Sequence, residues 1–390
     1  MQVIHGMAWD HPRGRAPLEA VSACWSAGRG IQVHWDARPL KDFEDQPLEE
    51  LAGAYDLVLI DYPFAGTAAG SGLIAAVDDW VDPAYLADQA AHSAGPSFAS
   101  YSWAGKQWAL AIDAACQVAA VRDDLLRPMC ADGPPTDWAG VERLAHQLRD
   151  ARSRVAVPLN PNHAYCAFLS VGLALAGPGF WPRGGPVAEA AGLEALGFLR
   201  ELVDALHPLS RSADPIAIAD RMAGSDEIAY VPLMFGYSNY ARPGFRERTL
   251  RFLDAPQGSS GHIGSVLGGV GLALSAASAV AAEAADLART IAAPETQCGL
   301  YFDAGGQPGH GAAWASPEVN ERIGGFFDAI GQTMRQAFMR PRVPGHRQFQ
   351  VEAGELIHRF LWAPDLHPAE CLSRFERLAE QRLYTGGTHA

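Results

Sequence analysis

The sequence predicts an α/β fold of two lobes, each a parallel-rich sheet flanked by helices, with a hinge between them and a ligand cleft at the seam. Three observations carry this. Strand-like and helix-like segments alternate from the first residues onward. A chain of 390 residues is too long for one compact core. No repeat or low-complexity linker divides it, so the chain is expected to cross between the lobes several times.

The elements follow in order. "QVIHGM" (2–7) reads as a strand. "PLEAVSACWSA" spaces Leu18, Val21, Cys24 and Trp25 as one helical face. "IQVHWD" (31–36) is a second strand, "PLEELAGA" (47–54) a second helix and "YDLVLIDYP" (55–63) a nearly continuous apolar third strand. This βαβαβ order implies a parallel sheet covered on both faces. Further on, Thr136 is a plausible N-cap for a helix whose face holds Trp138, Val141, Leu144, Ala145 and Leu148. "VAVPL" (155–159), "EIAYVPLM" (227–234) and "VGLALS" (270–275) read as strands, and Leu193 to Leu206 as a helix. Ser316-Pro317 opens a helix whose stripe runs through Val319, Ile323, Phe327, Ile330, Met334 and Phe338. "FQVEAGELIHRFLW" is a last helix, and the tail "YTGGTHA" is expected to fray.

Composition narrows the function. Hydrophobic residues make up 48% and charged ones 19%, as in a soluble globular protein. A net charge of −14 argues against nucleic-acid backbones and anionic membranes as partners. No apolar run reaches the roughly 18–20 residues of a membrane helix, the Ala-rich stretch near 270–293 being broken by Glu283, Asp286 and Arg289. The first residues show no basic region and no long apolar region of a signal peptide, which leaves either a cytoplasmic protein or a leader outside this sequence. Six scattered cysteines without paired spacing read as buried free thiols. Thirteen histidines include no two at a metal-ligand spacing with a carboxylate behind them, so neither metal nor cofactor is expected.

Motifs for nucleophilic or nucleotide chemistry are missing. There is no G-x-S-x-G elbow, P-loop or H-E-x-x-H, and "GSVLGGVG" leads into a strand rather than out of one. The strand ends carry a different chemistry: Trp9-Asp10-His11-Pro12-Arg13, Asp61-Tyr62-Pro63-Phe64, Asn160-Pro161-Asn162-His163-Ala164-Tyr165 and Phe235-Gly236-Tyr237-Ser238-Asn239. Ligands of open α/β sheets collect at carboxyl ends of strands. Carboxylates, amides and arginine give directional hydrogen bonds, and aromatic faces stack on C–H-rich surfaces.

Segments along most of the chain resemble the extracellular solute-binding proteins of family 1, the sugar-type binding components of ABC importers. "YDLVLIDYPFAG…GLIAAVDDWVD" is similar to the strand and pro-aspartate stretch of their first lobe. "GKQWALAIDAACQVAAVRDDLL" is similar to their first crossing, with Ala111 where proline is usual. "PPTDWAGVERLAHQL", the return crossing 267–301, "GGQPGH" (305–310) and "RPRVPGHRQFQ" (340–350) continue the pattern. The resemblance implies the type II periplasmic-binding-protein-like fold: lobe one from 1–112 plus 267–335, lobe two from 113–266 plus 336–390. It implies closure over a solute without turnover, membrane permease and ATPase subunits as partners, a monomer, and a periplasmic or extracellular location.

The expected ligand contacts are Trp9, Asp10, His11, Arg13, Asp61 and Tyr62 from lobe one, Asp113 at the first crossing, and Asn160, Tyr165, Phe235 and Tyr237 from lobe two. Gly268 and Gly269 would permit close approach at the return crossing, and Gln307, His310 and Arg340 border the cleft from late loops. Structural roles compete at several of these: Asp10 as a helix cap, Asp113 as a hinge carboxylate, His310 as a loop brace and Arg340 as a helix-end cation. The resemblance suggests a carbohydrate, with Trp9, Trp103, Trp108, Trp181 and Trp314 as candidate platforms. Arg13 and Arg340 would suit an organic or aromatic carboxylate instead. An enzyme on the same fold, using Asp10, His11 and Asp113 as acid and base, is the remaining alternative.

Overall fold

The computed structural model describes residues 2–39, 48–182, 185–363 and 365–384. All of the expected fraying tail except Tyr384, and the start of the expected second helix, lie outside them.

The first half builds β1 (Gln2–Trp9), α1 (Pro12–Ser26), β2 (Ile31–Arg38), β3 (Leu57–Asp61) and α2 (Pro83–Ala91). The 12-residue β4 (Leu110–Val121) follows, every residue of it buried. The second half adds β5 (Arg154–Val155), α3 (Pro161–Ala176), β6 (Ile228–Phe235) and β7 (Arg251–Leu253). The chain then returns through β8 (Leu267–Ser275) to α4 (Ala281–Ala292), and ends in α5 (His346–Trp362) and α6 (Pro368–Leu383).

One ladder runs β2-β1-β3-β8-β4-β6-β5, with β7 also on β4. β1 is parallel to β2 and β3, while β8 is antiparallel to both β3 and β4. β4 is the pivot: Leu110–Cys116 pair with β8, and Gln117–Val121 pair with β6 and β7. Each part has a core of its own, and a third, holding Met7, Ile60 and Tyr62 with Met234 and Phe252, runs across both. Trp9, Trp25, Trp35, Leu59, Leu272 and Tyr301 share one. Phe168, Phe180, Trp181, Phe349 and Phe375 share another.

Several local expectations change. The 156–159 stretch runs on beyond β5 without joining the ladder as strand. Asp137, not Thr136, caps its helix, its Oδ1 accepting from Gly140 N at 2.6 Å. The stripe from Val319 to Phe338 is three short helices, because Gly324 and Gly325 take φ of +60° and +76° and end the first of them. These helices, placed in lobe one on sequence, pack on the second half: Phe326 meets Phe252 of β7 edge-on at 4.9 Å, and Thr333 bonds Asp254. The apolar segment Pro161–Phe180 is long and apolar enough to cross a membrane by composition, yet 78% of its apolar window is buried inside the protein. A helix buried on all sides has no amphipathic period to read.

Candidate functional site

The strand register creates the site. Val270 of β8 stands opposite Asp61 of β3 on one side and Asp113 of β4 on the other, so three neighbouring strands bring two carboxylates together. Over them lies a cavity of about 70 Å³ lined by Trp9, Arg13, Asp61, Asp113, Phe235, Tyr237, Gly268, Gly269 and Arg340, with Ala115, Asn162, His163, Pro215 and Val270 completing the wall.

The first wall comes from the β1–α1 turn. His11 caps α1, its Nδ1 accepting from Arg13 N at 3.1 Å, and Pro12 occupies the first helical position. That start turns Arg13 inward. Its Nε and Nη2 reach Asp113 Oδ2 and Oδ1 at 2.8 and 2.5 Å, a bidentate pair. Its Nη1 donates to Gly236 O at 2.9 Å, and the guanidinium lies 4.5 Å over Tyr237. Arg13 thereby ties α1 to the end of β6 in the second half. Burial pushes the Asp113 carboxyl up, against the pull of Arg13.

Arg340 makes the complementary tie from the second half. Its Nε donates to Tyr62 Oη at 3.0 Å, its Nη2 to Asp61 Oδ2 at 3.2 Å and its Nη1 to Gln350 Oε1 at 2.5 Å. Burial raises the Asp61 carboxyl, again opposed by its arginine. Histidines around these cations stay neutral. Burial first, then Arg13, lowers His11 to about 4. Burial, then Arg340, lowers His163 to about 3.

After these bonds the two guanidinium groups are occupied, while two buried acceptors on this wall, Asp61 Oδ1 and Asn162 Oδ1, have no hydrogen-bond partner among the described residues. An unmet buried acceptor costs about 1–3 kcal/mol, which a donor from a bound solute relieves.

Glycines set the floor. A Cβ on Gly268 would sit 2.7 Å from the Phe235 ring. On Gly269, at φ +120°, it would sit 2.4 Å from Asp113 O. Gly269→Ala is expected to cost about 2 kcal/mol or more, because that backbone region is essentially glycine's alone. A urea midpoint equal to wild type would refute this.

Other expected contacts have different places. Asp10 is exposed and does not cap α1. His11 packs edge-on against Tyr237 at 5.1 Å, behind the cavity wall. Tyr62 lies beneath Arg340 and positions it. Asn160 caps α3, its Oδ1 accepting from His163 N at 3.1 Å and taking up His163 Nδ1 at 2.7 Å. Tyr165 faces the second core between Phe349 and Phe375. Gln307 is a buried staple, its Oε1 accepting from Ser238 N and its Nε2 donating to Ala114 O, both at 2.8 Å. His310 lies by Asp88, away from the cavity. Of the tryptophans only Trp9 reaches this wall. Trp108 and Trp314 donate to Trp103 O and Pro308 O.

A second cavity of about 800 Å³ shares Arg340 and is lined mainly by apolar groups, Trp103, Leu173, Trp181, Phe338 and Met339 among them. Its other arginine, Arg342, is spent on Ala99 O at 2.7 Å and Ser102 O at 2.6 Å. It offers volume but few directional groups, so the smaller cavity is the better-equipped polar site.

No family model and no curated protein sequence matches the chain. Among solved structures it has the two-lobed fold of the ABC-transporter solute-binding proteins. A maltose-bound MalE3 of T. maritima superimposes with a TM-score of 0.84 at 15% identity, covering 98% of this chain and 100% of that one. A Thermotoga lettingae solute-binding protein bound with α-D-tagatose gives 0.83 at 16%, covering 97% and 99%. One from Agrobacterium radiobacter in complex with ribitol gives 0.80 at 19%, covering 97% and 98%.

Proposed function

We propose that the protein is the solute-binding component of an ABC importer and closes over a neutral sugar or polyol without turning it over. The observation that carries the choice of ligand is the chemistry left over in the cleft. Arg13 and Arg340 already have anionic partners, whereas Asp61 Oδ1 and Asn162 Oδ1 lack donors. Hydroxyl groups supply donors; a carboxylate would bring further acceptors. Trp9, Phe235 and Tyr237 give apolar faces for C–H surfaces. The likeness to binding proteins solved with maltose, tagatose and ribitol supports the same reading.

Lobe one comprises the first 112 residues with 267 to about 310, and lobe two the rest. The two arginine ties join them, and about 70 Å³ between them holds only a few waters. Ligand entry therefore requires the lobes to part at the β4 and β8 crossings, a hinge motion. The protein works as a monomer outside the cytoplasm and presents its closed form to permease subunits.

A thermal-shift screen of neutral sugars and polyols against small carboxylates tests the reading. A ligand at about 100 times its dissociation constant adds about 2.7 kcal/mol. Stabilisation by a polyol recovered intact, weakened roughly tenfold in Asn162→Ala, is the expected result. Stabilisation by carboxylates alone would overturn the ligand class, and chemical conversion would overturn the absence of turnover.

A further inference from the structure

Away from the cleft, the fold gathers three donor side chains that no sequence spacing reveals. Asp88 and His92 lie one turn apart at the end of α2, and the loop 308–311 lays His310 against them. His92 Nδ1 is 2.8 Å from Asp88 Oδ1, and His310 Nε2 is 3.5 Å from Asp88 Oδ2. The two imidazoles stack with centroids 5.4 Å apart. One ligand atom from each residue falls within 4.8 Å of the others.

The backbone fixes this arrangement. Ser93 and His310 form a bridge, and Ala94 N donates to Gly309 O at 3.1 Å. The His310 side chain is only 2% exposed, and its Nε2, aimed at the carboxylate, has no hydrogen-bond partner. The other two side chains are about half exposed.

We propose that Asp88, His92 and His310 bind a divalent transition ion of the zinc type, with the remaining position open to water. Two imidazole nitrogens and one carboxylate oxygen suit such borderline ions, whereas magnesium and calcium prefer all-oxygen sites. Modest rotations of Asp88 and His92 bring their donors to about 2 Å from an ion held by His310 Nε2. Loading has a local cost. His310 Nδ1 accepts from Ala312 N at 3.2 Å, and that bond is given up when the ring proton moves to Nδ1. In return the ion clips α2 to a loop that braces the first crossing, where Gly309 N donates to Ile112 O at 3.0 Å.

The test is zinc titration of the untagged, chelator-treated full chain by calorimetry, with a melting curve beside it. Wild type is expected to bind one zinc at micromolar concentration and melt higher with it, while magnesium does neither. His92→Ala and Asp88→Asn change exposed side chains and keep the fold. Each should weaken zinc by more than the roughly tenfold that loss of even an outer partner costs. His34→Ala, which breaks the exposed His34–Asp36 pair on β2, should leave the titration unchanged. No zinc bound at micromolar concentration, or a His92→Ala titration overlaying wild type, would show a hydrogen-bonded triad only and overturn the site.

Discussion

Replacing Arg13 with methionine is expected to cost about 3–5 kcal/mol of stability, the usual penalty for stranding one member of a buried ion pair. The Asp113 side chain is 0% exposed and that of Arg13 is 4%, so neither charge has water to fall back on. The substitution also removes the donor to Gly236 O and the cation over Tyr237. Both contacts join α1 to the second half, so the loss should fall on the closed arrangement as well as on folding. The control is Arg13→Met with Asp113→Leu. Removing both charges together replaces the pair by apolar volume, which is often neutral. Urea denaturation of single and double variants at neutral pH separates the contributions. A double variant as unstable as the single one would assign the loss to packing and the Gly236 bond, not to the stranded carboxylate.

The fold was legible where burial is one-sided or the apolar run is unbroken. β1, β2 and β3 show as short apolar runs, and the wholly buried β4 as a crossing. It was illegible where a helix is buried on every side or a backbone special decides. α3 is apolar all round, so it carries no period, and the Gly324-Gly325 break hides inside a good helical stripe. The cleft follows the same logic. Trp9, Arg13, Asp61, Phe235 and Tyr237 stand at or just beyond strand ends, where position alone places a residue near the seam, and Asp113 lies within β4 at the first crossing. At α3 the choice depended on helix phase. Asn160 became the cap and Tyr165 rotated into the core, while Asn162 and His163 of the first turn reached the cavity. Gln307 and His310 needed tertiary structure, because their partners lie 193 residues away at Ala114 and far back in the chain at Asp88.

Acidification should weaken the protein steeply below about pH 6.5, the ordinary histidine value. Three buried histidines ring the arginines. His11 titrates at about 4 and His163 at about 3, and burial followed by Arg340 takes His346 well below its usual value. In each the folded pKa lies under the unfolded one, so the unfolded chain takes up protons first. Stability is therefore full above about 6.5 and is lost as pH falls, at about 1.4 kcal/mol per unit and per group. For His11 the loss continues to about pH 4, and for His163 to about pH 3. Asp61 and Asp113 work the other way, since burial raises their carboxyls and the folded chain protonates them sooner. A variant isolates the histidine contribution. His163→Gln keeps a polar side chain beside Asn160 but cannot titrate, so its stability should fall with pH by one proton less than wild type. Urea midpoints between pH 7 and pH 4 provide the slope. Identical slopes in the two proteins would mean that His163 is not held neutral by the arginine-lined cleft, and that the interior there is wetter and less tightly closed than the geometry requires.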